Sequence, residues 1–275
     1  MSRLAALLLL AALLATPAGA AEPLLLVVDA SPSMARPPAT PPPGVAWWQT
    51  LLHRLYGLAP PPPPAASRLA LVRAALDRYL EALPEGLPVG LRLFGQRRWK
   101  GCEDSRLLVP PVNRDRGRVR AALARLQAAP EGRTPLAFAV TEGLRDLLPP
   151  EVGGRGHLLV LSDAADLCPG PLPDARAVAE RLGVVARVDL ILLGAPEAAT
   201  RERLAPLAEP TGGAVYGAAG LAEVEIALRR ARPITGPQRA AAALHLHPGS
   251  WPAAVATGAL LCLALLAWPL VRSER

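Results

Sequence analysis

Apolar runs alternate with amphipathic stretches through the middle of the chain. The runs at 24–29, 89–94, 158–162, 188–193 and 214–216, with a short one near Leu107, are strand candidates. They are apolar throughout, the mark of strands covered on both faces. Helical spacing fills the gaps at 67–83, 117–128, 135–148, 174–183, 198–209 and 220–231. In SRLALVRAALDRYLEAL, Leu69, Val72, Leu76, Tyr79 and Leu80 share one side, and Ser67 is placed to cap the helix. This order predicts an α/β fold, a doubly wound and mostly parallel sheet with helices on both faces. Ligands of such sheets bind beyond the carboxyl ends of the strands.

The ends of the chain break this pattern. A positive start, MSR, is followed by an apolar core, LAALLLLAALLA, and the small residues of TPAGAA. That is the layout of a cleaved signal peptide over residues 1–21. Residues 251–271, WPAAVATGALLCLALLAWPLV, carry no charge over about the length that spans a bilayer. Trp251 and Trp268 stand near the two ends as interfacial anchors, and Arg272 and Arg275 follow as a cytoplasmic flank. The expectation is a single-pass cell-membrane protein with a transmembrane helix at 251–271 and a cytoplasmic tail at 272–275. A domain at 22–232 and a linker at 233–250 then lie outside the cytoplasm, in the periplasm or at the cell surface. Within the domain, residues 35–66 form a proline-rich insert around VAWWQTLLHRLYGL, where Val45, Trp48, Leu52 and Leu55 share helical spacing.

Composition changes this picture little. Hydrophobic residues make up 51% of the 275 but aromatics only 4%, and the net charge is +7. The arginines are scattered and seldom interleaved with aromatics, which argues against a nucleic-acid partner.

The candidate chemistry begins at DASPSM, where Asp29, Ser31 and Ser33 bring oxygens at alternate positions to the end of the first strand. Such residues also build ordinary turns through bonds to nearby backbone amides. Further along, EGRTPLAF places Thr134 at a helix start, and HLLVLSDAADLC places Asp163 at the end of another apolar strand. Five oxygen side chains thus fall on three loops at one edge of the expected sheet.

In the order and spacing of DASPSM, GRTPL and LSDAADLC, the chain resembles the von Willebrand factor type A (VWA) family. VGLRLFG and TGGAVY look like that family's second and last strands, and the resemblance covers about residues 23–232. It implies a Rossmann-like sheet and a metal-ion-dependent adhesion site (MIDAS). Ser31, Ser33 and Thr134 would then offer hydroxyl oxygens to a divalent cation, with Asp29 and Asp163 acting directly or through water. Oxygen ligands suit a hard ion, Mg²⁺ first, with Ca²⁺ or Mn²⁺ as alternatives. The implied partner is a protein offering an Asp or Glu to the ion's open position.

Three departures stand out from the resemblance. Pro32 replaces a usual glycine, Arg133 precedes the threonine where a small residue is frequent, and DAAD replaces the usual Asp-Gly start of the third loop. Exported relatives carry cysteines in comparable loops, and a disulfide between Cys102 and Cys168 is expected outside the cytoplasm. Trp47 and Trp48 of the insert, together with Arg133, are candidates for contact with the partner.

His245 and His247 form an HxH without further zinc ligands beside them, and His53 and His157 are the only histidines within the domain. No GxSxG elbow, HExxH pair or phosphate-binding glycine loop occurs. The expected function is therefore a membrane-anchored, cation-dependent binding module and not an enzyme. The alternatives are a structural subunit of an envelope assembly with a degenerate metal site, and a metal-assisted hydrolase.

Overall fold

Strand β1 (Leu24–Asp29) is buried at every residue, and the sheet is built outward from it. The computed structural model describes residues 22–37, 55, 66–165, 167–194 and 196–231. The other strands are β2 (Val89–Phe94), β3 (Ser105–Val109), β4 (Arg155–Ser162), β5 (Val185–Leu193) and β6 (Val215–Ala218). Their spatial order is β3-β2-β1-β4-β5-β6. Every pairing is parallel except that of the edge strand β3 with β2, which is antiparallel.

The helices are α1 (Arg68–Ala82), α2 (Arg116–Ala124), α3 (Leu136–Arg145), α4 (Ala175–Leu182), α5 (Ala198–Leu204) and α6 (Leu221–Arg230). Side chains alternate along β1, so the strand feeds two cores. Leu24, Leu26 and Val28 pack with α1, α2 and α6, while Leu25 and Val27 pack with α3 and α4. Each fully buried leucine or valine contributes about 1.5–3 kcal/mol relative to exposure. The fully apolar strands of the sequence are apolar because both faces are covered.

Side-chain caps set several of the helix starts, and the one at Ser67 is as the sequence implies. Ser67 accepts a hydrogen bond from the Ala70 amide at 3.1 Å, and Asp174 accepts one from Ala177 at 3.0 Å. The expected helix at 198–209 is shorter. It ends at Leu204, and the chain continues in 3-10 turns at Ala205–Leu207 and Glu209–Thr211. Pro206 and Pro210 stand inside those turns, and proline has no amide hydrogen to extend an α-helix. The expected helix at 117–128 likewise stops at Ala124.

The site edge follows from connectivity. β1 and β4 are neighbours, yet from its carboxyl end β1 leads into α1 on one face, whereas β4 leads into α4 on the other. The connections part at the carboxyl ends of these two strands, opening a crevice there. After the first loop, the Arg68 amide bonds to the Arg36 carbonyl at 2.9 Å, which holds the two ends of the proline-rich insert together. The expected signal peptide, Trp47 and Trp48, the linker, the membrane span and the tail lie outside the described residues. No helix among the described residues is long and apolar enough to cross a membrane.

Candidate metal centre

Asp29 ends β1 with none of its surface exposed. Its Oδ1 accepts the Ser31 amide at 2.8 Å, and its Oδ2 accepts the Ser162 hydroxyl at 2.5 Å. Burial pushes this carboxyl up to about 7, against the pull of those hydrogen bonds, and the charge of Asp163 pushes the same way. A buried carboxyl raised in this way, near a second carboxylate, is a place where a cation is welcome.

Ser31 and Ser33 follow on a tight loop and are both buried. Their hydroxyls lie 3.0 Å apart, and Ser33 Oγ donates to Asp163 Oδ1 at 2.9 Å. A hydroxyl carries one hydrogen, so Ser31 is the donor within the serine pair. Pro32 opens a 3-10 turn at Pro32–Ala35, whose first position leaves its amide unbonded in any case. The proline therefore fits the loop without removing a needed hydrogen bond. Gly95, just past β2, has φ +75°, and a Cβ there would lie 3.0 Å from the Ser31 Cβ. Only glycine lets the second strand's exit pass this close to the first loop.

The third loop leaves β4 through Ser162, Asp163 and Ala164. Ser162 Oγ accepts the Ala164 amide at 2.9 Å while donating to Asp29. Asp163 Oδ1 also accepts the Ala165 amide at 3.1 Å. Ala164 has φ +50°, the only described non-glycine residue in the left-handed region. The glycine usual at this point of the family's loop has a physical reason here, and the alanine is strained by about 1–2 kcal/mol.

Thr134 stands in the second loop, one residue before the Pro135 cap of α3. It forms an isolated parallel bridge with Leu167, and its carbonyl accepts the Cys168 amide at 3.3 Å. Its hydroxyl is buried with no hydrogen-bond partner. Leaving such a group unmet costs about 1–3 kcal/mol, which a ligand oxygen or cation would recover. Cys102 and Cys168 are joined at 2.06 Å and tie the turn at Arg98–Glu103 to the third loop. Beside them a cleft of about 150 Å³ is lined by Thr134, Pro135, Phe138, Leu167 and Pro171.

The three loops thus bring Asp29, Ser31, Ser33 and Asp163 into one hydrogen-bonded group, with Thr134 on the adjoining loop. Arg133 is exposed. The donor set of three hydroxyls and two carboxylates suits a hard divalent ion, and the unmet Thr134 hydroxyl fits the same purpose. With only two carboxylates it contains no cluster of three His, Cys, Asp or Glu, and the described residues hold none elsewhere.

Sequence reasoning missed Arg68, the first residue of α1. Its Nη1 lies 2.5 Å from Asp163 Oδ2, with the two side chains 16% and 1% exposed. A signal was available. Cations are disfavoured at a helix N-terminus, so an arginine in that position implies an acid elsewhere that holds it. Ser162 was also missed, although it lies within the quoted LSDAADLC. His157 is in β4 several residues before the site, its Nε2 2.7 Å from Asp189 Oδ2. It stands about 20 Å along the strand from the metal loops.

No protein-family model matches the chain, and no curated protein matches it. Among solved structures, an aerotolerance-related membrane protein from Bacteroides fragilis, crystallised with multiple mutations to serines, is 14% identical with a TM-score of 0.51. That likeness covers 75% of this chain and 96% of the other. A von Willebrand factor type A protein from Catenulispora acidiphila is 15% identical with a TM-score of 0.49, over 76% of this chain and 42% of that one. Proximal thread matrix protein 1 from the mussel byssus, solved with a zinc-occupied MIDAS motif, is 9% identical with a TM-score of 0.49. There the match covers 77% of this chain and 47% of the other. The chain therefore spans less than half the length of these last two proteins. At such identities the likeness speaks for the fold alone. With its strand order and single antiparallel edge, the described domain has a von Willebrand factor type A fold.

Proposed function

We propose that this domain is a cation-dependent protein-binding module, holding a divalent ion at Asp29, Ser31, Ser33, Thr134 and Asp163 and through it a partner's carboxylate. The observation that carries this reading is the buried, unpartnered Thr134 hydroxyl beside a hydrogen-bonded group of two serines and two aspartates. Hydroxyl ligands supply oxygen without cancelling the ion's charge, which leaves it attractive to an Asp or Glu. Mg²⁺ is the ion proposed first, with Ca²⁺ and Mn²⁺ as alternatives. The apolar cleft beside Thr134 would receive a side chain next to that acid.

The signal-like start and the uncharged run at 251–271 support export and anchoring, with the domain outside the cytoplasm and the last four residues inside. Binding is preferred over hydrolysis because the only histidine among the described residues, His157, is bonded to Asp189 far from the metal loops. A hydrolase needs a general base within reach of the ion.

A second reading, a permanent envelope subunit with a metal-free site, is favoured by the Arg68–Asp163 ion pair, which gives the site a cation of its own. Affinity capture from solubilised membranes with the full chain as bait separates the two. Proteins retained with Mg²⁺, released by chelator and lost with Thr134→Ala are expected for the binding module. Partners retained equally under all three conditions would contradict it.

A further inference from the structure

Asp163 is fully engaged in the structure. Ser33 and the Ala165 amide donate to its Oδ1, and Arg68 Nη1 holds its Oδ2. The arginine's place is prepared by its surroundings. Gly194, which follows β5 at φ +94°, leaves room for the guanidinium, since a Cβ there would lie 3.2–3.4 Å from Arg68 Nη2, Nε and Cζ. The first position of α1 is an unfavourable one for a cation. An acid must offset that, and Asp163 is the acid in contact.

The pairing is incomplete in a telling way. Arg68 Nε is buried without a hydrogen-bond partner, as is the Thr134 hydroxyl on the adjoining loop. A carboxylate paired with guanidinium in this monodentate way is open to exchange, because a second fixed bond is missing. A divalent ion and a guanidinium cannot both take the charge of one carboxylate without repelling each other across a few ångströms of half-buried space.

We propose that Arg68 is the site's resident counter-cation. Its guanidinium neutralises Asp163 in the metal-free domain, and a divalent ion binds only by displacing it, so Arg68 sets the ion concentration at which the site fills. This rests on the cation-binding reading given above. It makes the domain a threshold device, closed at low ion levels by its own arginine.

Titration of the purified full chain with Mn²⁺ by calorimetry tests it. Arg68→Gln removes the charge but keeps most of the side-chain length, and is expected to tighten Mn²⁺ binding at least tenfold. Arg68→Lys, which keeps the charge, stays within about threefold of the unmutated chain. Thermal melting gives a second readout. Metal-free Arg68→Gln melts lower than the unmutated chain, yet gains more from saturating Mn²⁺. Arg68→Met serves the same comparison if the glutamine variant does not fold. Equal or weaker binding by the uncharged variants, with the unmutated chain still binding, overturns the displacement and leaves the cation site standing. Absence of Mn²⁺ binding in every form overturns both.

Discussion

Single residues at the strand ends decide how this site behaves, and Ala164 is the plainest case. Its φ of +50° lies where a Cβ crowds the backbone. Ala164→Gly relieves that strain while adding freedom to the unfolded chain, so a net gain of about 0.5–1 kcal/mol is expected. A rise in the urea midpoint without a change in slope checks it. Asp189 makes a different point at the other edge. Burial alone would raise its carboxyl, but the hydrogen bonds and charges of His157 and Arg187 win and hold it below the usual carboxylate value. A depressed carboxylate stabilises the fold above its unfolded value of 3.8 and loses that contribution as pH falls through its lower folded value. Asp189→Asn is therefore expected to cost about 2–4 kcal/mol at pH 7 and to flatten the acid limb of stability against pH. An unchanged acid limb would remove Asp189 from its cause. At this scale the oxygens of DASPSM and Asp163 were legible because they end apolar runs, and Thr134 because it stands at a helix start. Arg68 showed only as a cation misplaced at a helix start, and nothing local names its partner, which lies 95 residues away.

The elements were legible where periodicity is long and clean. β1 and β2 occupy the expected residues, and α1 differs by one residue at each end. The failures have backbone causes. Helix α5 is cut short by prolines that a count of apolar spacing overlooks. The antiparallel direction of β3 is set by the turn at Arg98–Glu103, which no pattern of side chains encodes. That turn carries Cys102, and its link to Cys168 spans 66 residues of chain. On the chain-entropy model, closing such a loop is worth about 4 kcal/mol. The paired change of Cys102→Ser and Cys168→Ser should lower unfolding free energy by about that amount. It should also weaken cation binding, because the Cys168 amide helps fix Thr134 through its carbonyl. Unaltered ion affinity in the double variant would confine the disulfide to stability.

Across the whole molecule, a sheet whose connections part between β1 and β4 delivers two strand ends, and their polar residues, to one crevice. The alternation of apolar runs and helices made this class of fold readable. The strand order itself was not, since pairing partners are chosen by packing of helices far apart in sequence. The ends of the chain bear on the setting of the domain and not on its chemistry. A cation held at the crevice would have to meet Asp29, whose carboxyl is fully buried and is raised to about 7 by that burial.

Calorimetric titration of Mg²⁺ and Mn²⁺ into the purified full chain, beside Asp29→Asn, tests the central claim most directly. Asparagine keeps an oxygen for the Ser31 amide but removes the charge that a hard ion needs. The unmutated chain is expected to bind one ion with a dissociation constant of about 1 mM or tighter, and the variant to fold normally yet give no binding heat. Absence of binding in the unmutated chain, or equal binding by Asp29→Asn, would contradict the account.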